Sequence, residues 1–197
     1  MATQPLYGDP ASKALVWNKW AVLLGSTTSA VPTAPAAFTL NDPDAGTPVT
    51  GEWDPVGALL EDNPFGDGAE TINVTNHTAA GFGVYAKTFR DQEETIEFTA
   101  LETTLVTLGI IFDASGLTQA GATISGTLKQ RDPSKHYLLG FQRENASQME
   151  RRISTNYAQI ASVTRNTDSA RSTFTVSATV YPTATKELYD YYLGPKS

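Results

Sequence analysis

Two segments of the chain alternate apolar and polar residues with the period of two that a half-buried β-strand shows. In residues 172–181 four apolar side chains alternate with four hydroxyl-bearing ones. In residues 95–100 Ile96, Phe98 and Ala100 share one side. The polar members of these two predicted strands are Thr95, Glu97, Thr99, Thr173, Thr175, Ser177 and Thr179. We predict that the apolar side of each strand faces the core and the polar side faces outward.

The residues before Thr95 predict a hairpin. Val84 to Phe89 is an extended run, and Arg90 to Glu94 is charged or polar throughout. Such a charged break between two extended runs favours a turn. We therefore predict a hairpin over Val84 to Ala100.

After Ala100 the period changes to that of a helix. Apolar residues recur at spacings of four, three and four, which places them on one stripe of a helix that packs on a sheet. The stripe comprises Leu101, Leu105, Leu108 and Phe112. Thr99 and Glu102 fit a capping box at the start, and Gly116 can end the helix at positive φ.

The remaining chain predicts further strands joined by long loops. Residues 15–24 predict the first strand, and residues 136–141 predict a strand buried on both faces. Residues 25–70 are rich in Pro and Gly and predict long loops. Residues 1–14 and 183–197 are interpreted as N-terminal and C-terminal arms, with residues 186–193 forming a last helical turn or lying on a neighbour. We predict one domain over 1–197, mainly β: a β-sandwich or barrel with one flanking α-helix.

Composition narrows the functional classes. The chain has 197 residues and no cysteine, so it has no disulfide or thiolate metal site. No apolar run approaches the ~20 residues of a membrane helix, and the start lacks the order of a signal peptide. We expect a soluble protein made in a cytoplasm, with no membrane partner.

The net charge of −7 is unevenly distributed. Residues 40–102 contain thirteen acidic and two basic residues, whereas residues 129–171 contain eight basic and four acidic ones. One interpretation is a solvated surface. The other is that the halves meet within one subunit or between copies, because opposite potentials favour association. The candidate residues for contacts between copies are Arg151, Arg152, Asp42, Asp44, Glu61 and Asp62.

The sequence favours no catalytic chemistry. Glu93 and Glu97 lie roughly 13 Å apart if both are on one strand, too far for a glycosidase pair. His77 and His136 are isolated, without metal-ligand spacing. We expect no enzyme activity, no cofactor and no metal. A sugar-stacking platform is a further alternative, built from Trp17, Trp20, Trp53, Tyr189, Tyr191 and Tyr192.

The order of several motifs resembles a known family. A Val56-Gly57 run, an acidic loop, Phe89-Arg90-Asp91, Thr95 to Phe98 and a glutamate-led helix follow one another. Residues 150–153, 156–160 and 180–182 then resemble the family's last hairpin. Over about residues 56–182 the chain is similar to the major tail tube proteins of long, non-contractile-tailed phages, particularly those of actinobacterial hosts.

The resemblance implies a structural virion protein of the phage tail, assembled in the host cytoplasm. Six copies would form a ring whose inner strands join into one barrel, and stacked rings would form a tube for genome ejection. The implied partners are other copies, the tape-measure protein, and the tail terminator and distal tail proteins. Double-stranded DNA would pass without specific binding. The polar members of the two strands above are our candidates for the lumen.

Two other functions compete with the tube protein. The first is a carbohydrate-binding or adhesin-like β-sandwich module, which would be monomeric and use an exposed aromatic side chain. The second is a related ring-forming tube of bacterial secretion systems, which the sequence does not separate from a phage tube.

Overall fold

The computed structural model describes residues 19–34, 36–40, 52–60, 65, 69–81, 83–101, 104–120, 123–167 and 172–196. In this part of the chain the protein is mainly β, with antiparallel strands and one α-helix. The predicted fold class is therefore confirmed.

The described residues form eleven strands and one α-helix. The first six strands are β1 (Lys19–Gly25), β2 (Trp53–Pro55), β3 (Ala69–Ala79), β4 (Gly83–Ala100), β5 (Leu117–Ala120) and β6 (Thr123–Gly126). The last five are β7 (His136–Glu144), β8 (Gln148–Ser154), β9 (Ala158–Thr167), β10 (Ser172–Val180) and β11 (Tyr189–Pro195). Helix α1 is Leu105–Ile111, and a 3-10 turn, Ala114–Gly116, follows it.

Nine strands form one continuous sheet that folds over a shared core. Its order is β11-β8-β7-β9-β10-β4-β3, with β1 paired to β7 and β2 paired to β1. We name the half with β2, β1, β7, β8 and β11 the first layer, and the half with β9, β10, β4 and β3 the second layer. Only His136 and Tyr137 of β7 pair with β9, so this short contact joins the layers. The strands β5 and β6 form a separate hairpin.

The main core lies between the two layers. The first layer contributes Leu24, Leu139 and Phe141, and the second layer contributes Phe98 and Val176. On β10 the residues Phe174, Val176, Ala178 and Val180 are all buried, as the alternation predicted. Antiparallel strands with one face on a core give such a clean period of two.

A smaller cluster covers the outer face of the first layer. The ring of Trp53, which is 0% exposed, packs edge-on against Phe38 at 4.9 Å between centroids. A Cβ at Gly140 would lie 3.1 Å from the Phe38 ring, so glycine makes room for that ring. The strand β7 is thus buried on both faces over Tyr137 to Phe141, as predicted.

The helix starts later and buries a different face than the sequence indicated. Thr104 is the N-cap, and its hydroxyl accepts from the Thr107 amide at 3.1 Å. The predicted cap at Thr99 is wrong, because Thr99 lies within β4. Thr107 and Ile110 are the buried helix residues, at 1% exposure each.

The predicted stripe is only half-buried. Its members are Leu101, Leu105, Leu108 and Phe112, of which Leu101 and Phe112 lie outside the helix. Thr107 can be buried because its hydroxyl donates to the Thr104 carbonyl at 3.0 Å. Gly116 has no positive φ; a Cβ there would lie 2.6 Å from the Thr127 carbonyl, which explains the glycine.

The predicted hairpin over Val84 to Ala100 is wrong, because these residues form the single strand β4. Residues 83–95 of this strand lie alongside β3, and its last seven residues pair with β10. The charged residues Arg90 to Glu94 lie within this strand, and the pairing with β3 shifts between Ile72 and Asn73. A run of charged residues can stay in a strand when a neighbouring strand supplies its backbone hydrogen bonds, so charge alone does not predict a turn here.

The C-terminal segment also differs from its prediction. Tyr189–Pro195 is neither a helical turn nor an arm on a neighbour, but the strand β11, which pairs with β8 of the same chain. The predicted N-terminal arm, residues 1–14, lies outside the described residues.

Candidate functional site

One face of the second layer is polar across three strands. Antiparallel partners share a face, and Thr99, Glu97 and Thr95 pair with Thr175, Ser177 and Thr179 respectively. The seven lumen candidates therefore lie on one surface, together with Glu93 of β4 and four residues of β9. The β9 residues are Gln159, Ser162, Thr164 and Asn166. We call these twelve residues the polar face.

The polar face carries hydroxyls, amides and carboxylates. Its ionisable members are Glu93 and Glu97, and none of the twelve is Lys or Arg. The hydroxyls of Thr99 and Thr175 lie 3.2 Å apart, and the Asn166 amide donates to Thr175 at 3.4 Å. The surface is therefore hydrogen-bonding and acidic, with no cation to hold a phosphate.

The edges of the second layer are open in the part of the chain that the structure describes. The outer side of β3 has no strand partner there, and β9 pairs with β7 only at its first two residues. Unpaired backbone groups on a long edge are a template for another strand. The two open edges lie on opposite sides of the polar face.

The β3–β4 pair extends beyond the core as a two-stranded ribbon. The described side chains of residues 74–79 and 83–87 are exposed, including Val74 at 44% and Val84 at 50%. An isolated two-stranded ribbon is only marginally stable in water. The ribbon therefore presents both apolar side chains and a free strand edge.

Arg151, a candidate for contacts between copies, is buried within its own subunit. It is 2% exposed, donates to the Gln142 amide oxygen at 2.9 and 2.7 Å, and donates to the Ala36 carbonyl at 2.7 Å. Its guanidinium lies 4.4 Å from the centre of the Phe38 ring. Burial lowers the pKa of Arg151, and the charge of Glu144 opposes this shift. These contacts of Arg151 therefore connect residues 36–38 to the first layer and leave its side chain buried rather than available to another copy.

The second arginine, Arg152, belongs to a local ion cluster. Glu150 is 5% exposed and accepts from Arg143 Nε at 2.6 Å and from Arg152 Nε at 3.2 Å. This cluster joins β7 and β8 across a cross-strand pair. Two of the basic residues of the second half therefore pair with an acid of the same half. The remaining contact candidates, Asp42, Asp44, Glu61 and Asp62, lie outside the described residues.

Of the aromatic residues proposed for a sugar platform, Trp53 lies in the core and Tyr191 lies on the surface. Trp53 is fully buried, and its Nε1 donates to the Ala30 carbonyl at 2.9 Å, so it serves the core. Tyr191 is 60% exposed, whereas Tyr189 is half-buried. Burial raises the pKa of Tyr189, and the charge of Glu94 raises it further. Trp17 lies outside the described residues.

A groove of about 650 Å³ separates helix α1 from the loop before β7. Its apolar wall includes Leu24, Val106 and Ile110, and its rim carries Asp113 and Asp132. Hydrogen bonds from Ser115 and Ser134 lower the pKa of these two carboxyls, so both are ionised at neutral pH. The sequence did not predict this groove, because its lining comes from four separated segments.

Among the described residues no group of three or more His, Asp or Glu side chains could hold a metal ion. None of the helices in this part of the chain is long and apolar enough to cross a membrane. No known protein-family model matches the chain, and a search of curated proteins also returned no match.

Proposed function

We propose that the protein is a tube-forming structural protein, in which copies join into rings and the rings stack into a tail tube of a phage. The observation that carries this proposal is the polar face with an open strand edge on each side. A monomer with such edges is prone to edge-to-edge association. In a closed ring each edge is paired, and closure ends the growth.

The strand directions suit such a ring. Neighbouring strands of the second layer are all antiparallel, so β3 runs opposite to β9. If subunits repeat in the same orientation, the β3 edge of one copy meets the β9 edge of the next as an antiparallel pair. The four strands of each subunit then continue into the four strands of its neighbour.

The dimensions fit a conduit. Six copies, the number implied by the family resemblance, would close four strands each into a barrel of 24 strands. With strands about 4.8 Å apart and tilted about 40°, the backbones would lie roughly 50 Å apart across the barrel. Such a barrel leaves a channel, since barrels of 16–18 strands already do.

The chemistry of the polar face suits the wall of that channel. DNA binds proteins mainly through contacts of Lys and Arg with its phosphates. A wall of hydroxyls and carboxylates offers no such contact, so DNA can pass without being held. The polar face is therefore the proposed lumen, with Glu97 as its exposed carboxylate.

Negative-stain electron microscopy over a concentration series, with sedimentation alongside, tests the proposal. We expect hollow rings or tubes of uniform width. Monomers at every concentration would count against self-assembly, and glycan binding by the adhesin-like alternative would become the next test.

The edge pairing has its own test because the chain contains no cysteine. Cysteines introduced for Thr75 on β3 and for Gln159 on β9, which the strand registers and a tilt of about 40° place close together, should cross-link different copies through a short bis-maleimide. Asp190→Cys on β11, combined with Thr75→Cys, is the control and should not cross-link. Equal yields for the two pairs would contradict pairing between β3 and β9.

A further inference from the structure

The groove beside helix α1 has the dimensions of a binding site. Its volume of about 650 Å³ lies within the range of ligand pockets, and its walls are mostly apolar. It opens at the end of β1 that contains Leu24 and Gly25. Neither the ring contacts nor the polar face uses it.

Two features of the groove indicate a missing occupant. Gly109 lines it from the middle of α1, where glycine is unfavourable for the helix. A Cβ at this position would only touch Ala114 at 3.8 Å, so the chain's own packing does not require a glycine. Tyr137 also lines the groove, and its hydroxyl is buried without a hydrogen-bond partner in the described part of the chain. A buried hydroxyl without a partner is uncommon and calls for an acceptor or donor from elsewhere.

The position of the N-terminal arm (residues 1–14) relative to the groove indicates which segment could enter it. The arm and residues 15–18 precede Lys19, at one end of β1, whereas the groove lies at the other end. The seven residues of β1 separate the two by roughly 20 Å. If β1 runs along the tube axis, subunits that stack in the same orientation bring Lys19 of one copy towards the groove of the next.

The composition of the arm matches the groove. Leu6 and Tyr7 are adjacent and are followed by Gly8, Asp9 and Pro10. Proline restricts the backbone of such a segment, which lowers the entropy lost on binding. The arm has one acidic and one basic side chain, Asp9 and Lys13, and the rim of the groove likewise carries both signs.

We propose that the groove between helix α1 and the loop before β7 binds the N-terminal arm of a second copy, with Leu6 and Tyr7 against its apolar wall and an arm backbone group bonded to the Tyr137 hydroxyl. This contact joins subunits along the tube axis, whereas the β3 and β9 edges join them around the ring. The inference rests on the proposed self-assembly.

Hydrogen exchange of residues 2–14 in the full chain, measured over a concentration series, tests the proposal. We expect protection that increases with concentration together with the sedimenting fraction. Gly109→Leu fills the groove and should reduce both by at least tenfold. Gly109→Ala is the matched control: it should keep both and melt at or above the wild-type temperature, because alanine favours the helix.

A second variant approaches the contact from the other side. Replacing Leu6 and Tyr7 together by serine should cause the same loss as Gly109→Leu and leave the melting temperature of the dilute protein unchanged. This variant keeps the test decisive if Gly109→Leu does not fold.

Several results would overturn the proposal. Protection that is complete in dilute monomers would mean that the arm occupies its own groove. Assembly and protection that survive both variants would mean that the groove is not the contact. Hollow tubes with an unprotected arm would overturn this inference but leave the tube function intact. Concentration-dependent arm protection in particles that are not hollow would support the inference and contradict the tube.

Discussion

Replacing Glu97 by lysine tests whether the polar face lines a channel. Glu97 is exposed, pairs with Ser177 across the sheet, and has Thr95 and Thr99 as its neighbours on the same face. The substitution changes the charge by two units per subunit, which is twelve units per proposed ring of six. Because the side chain lies outside the core, folding should be little affected.

We expect tubes of the Glu97→Lys variant to bind DNA. Six lysines per ring can make about six phosphate contacts, and contacts of this number lose roughly a thousandfold in affinity between 50 and 200 mM salt. Tubes of the Glu97→Lys variant should therefore retain short duplexes at low salt and release them at higher salt. Wild-type tubes should retain none at either concentration.

Nuclease protection separates the inside of the tube from the outside. Duplexes held in the channel should resist nuclease, whereas those on the outer surface should be digested. Asp190→Lys, with the same charge change at an exposed position of β11, is the control and should protect no DNA. If Glu97→Lys tubes assemble but protect no more DNA than wild-type tubes at low salt, Glu97 does not line the channel.

Three further predictions concern stability. Glu150→Gln should lower the free energy of unfolding by about 1–3 kcal/mol in urea denaturation, because the buried carboxylate accepts charge-assisted hydrogen bonds from Arg143 and Arg152, whose side chains are only partly buried; no measurable loss would contradict the ion cluster. Ile110→Ala should lower the free energy of unfolding by about 2–5 kcal/mol in the same assay. Leu105 is half-buried, so Leu105→Ala should lower it clearly less. A larger loss for Leu105→Ala would favour the predicted stripe over the observed buried face. Burial raises the pKa of Tyr189, so the unfolded chain ionises first above pH about 10 and stability declines there but not below it. Tyr189→Phe should make that decline shallower, and an unchanged decline in this variant would refute the assignment.

The sequence predicted best where a strand has one buried and one exposed face. The alternation on β10 placed Phe174 and Val176 in the core and Thr175 and Ser177 opposite, and the structure confirms it. It also placed Glu97 on the polar side of β4. A period of two is informative because one face is excluded from water and the other is not.

The alternation of apolar and polar residues is less informative where charged side chains take part in packing. Residues 148–167 contain the two strands β8 and β9, although Glu150 and Arg151 make this segment polar in sequence. Both side chains are buried because each has hydrogen-bond partners from other segments. Such partners depend on tertiary contacts, so no local pattern reveals them.

The predicted start and buried face of the helix were wrong for a related reason. Seven residues make only two turns, too few for a reliable stripe, and the buried Thr107 is polar. The groove beside the helix was beyond prediction as well, since Tyr137 and Gly109 meet only in the folded chain.

A cryo-electron microscopy map of the assembled protein tests the central claim most directly. We expect a hollow tube in which the polar face forms the inner wall, Glu97 points into the channel, and β3 of each subunit pairs with β9 of the next. A tube in which Glu97 lies on the outer surface, or in which the second layer makes no contact between subunits, would contradict the account.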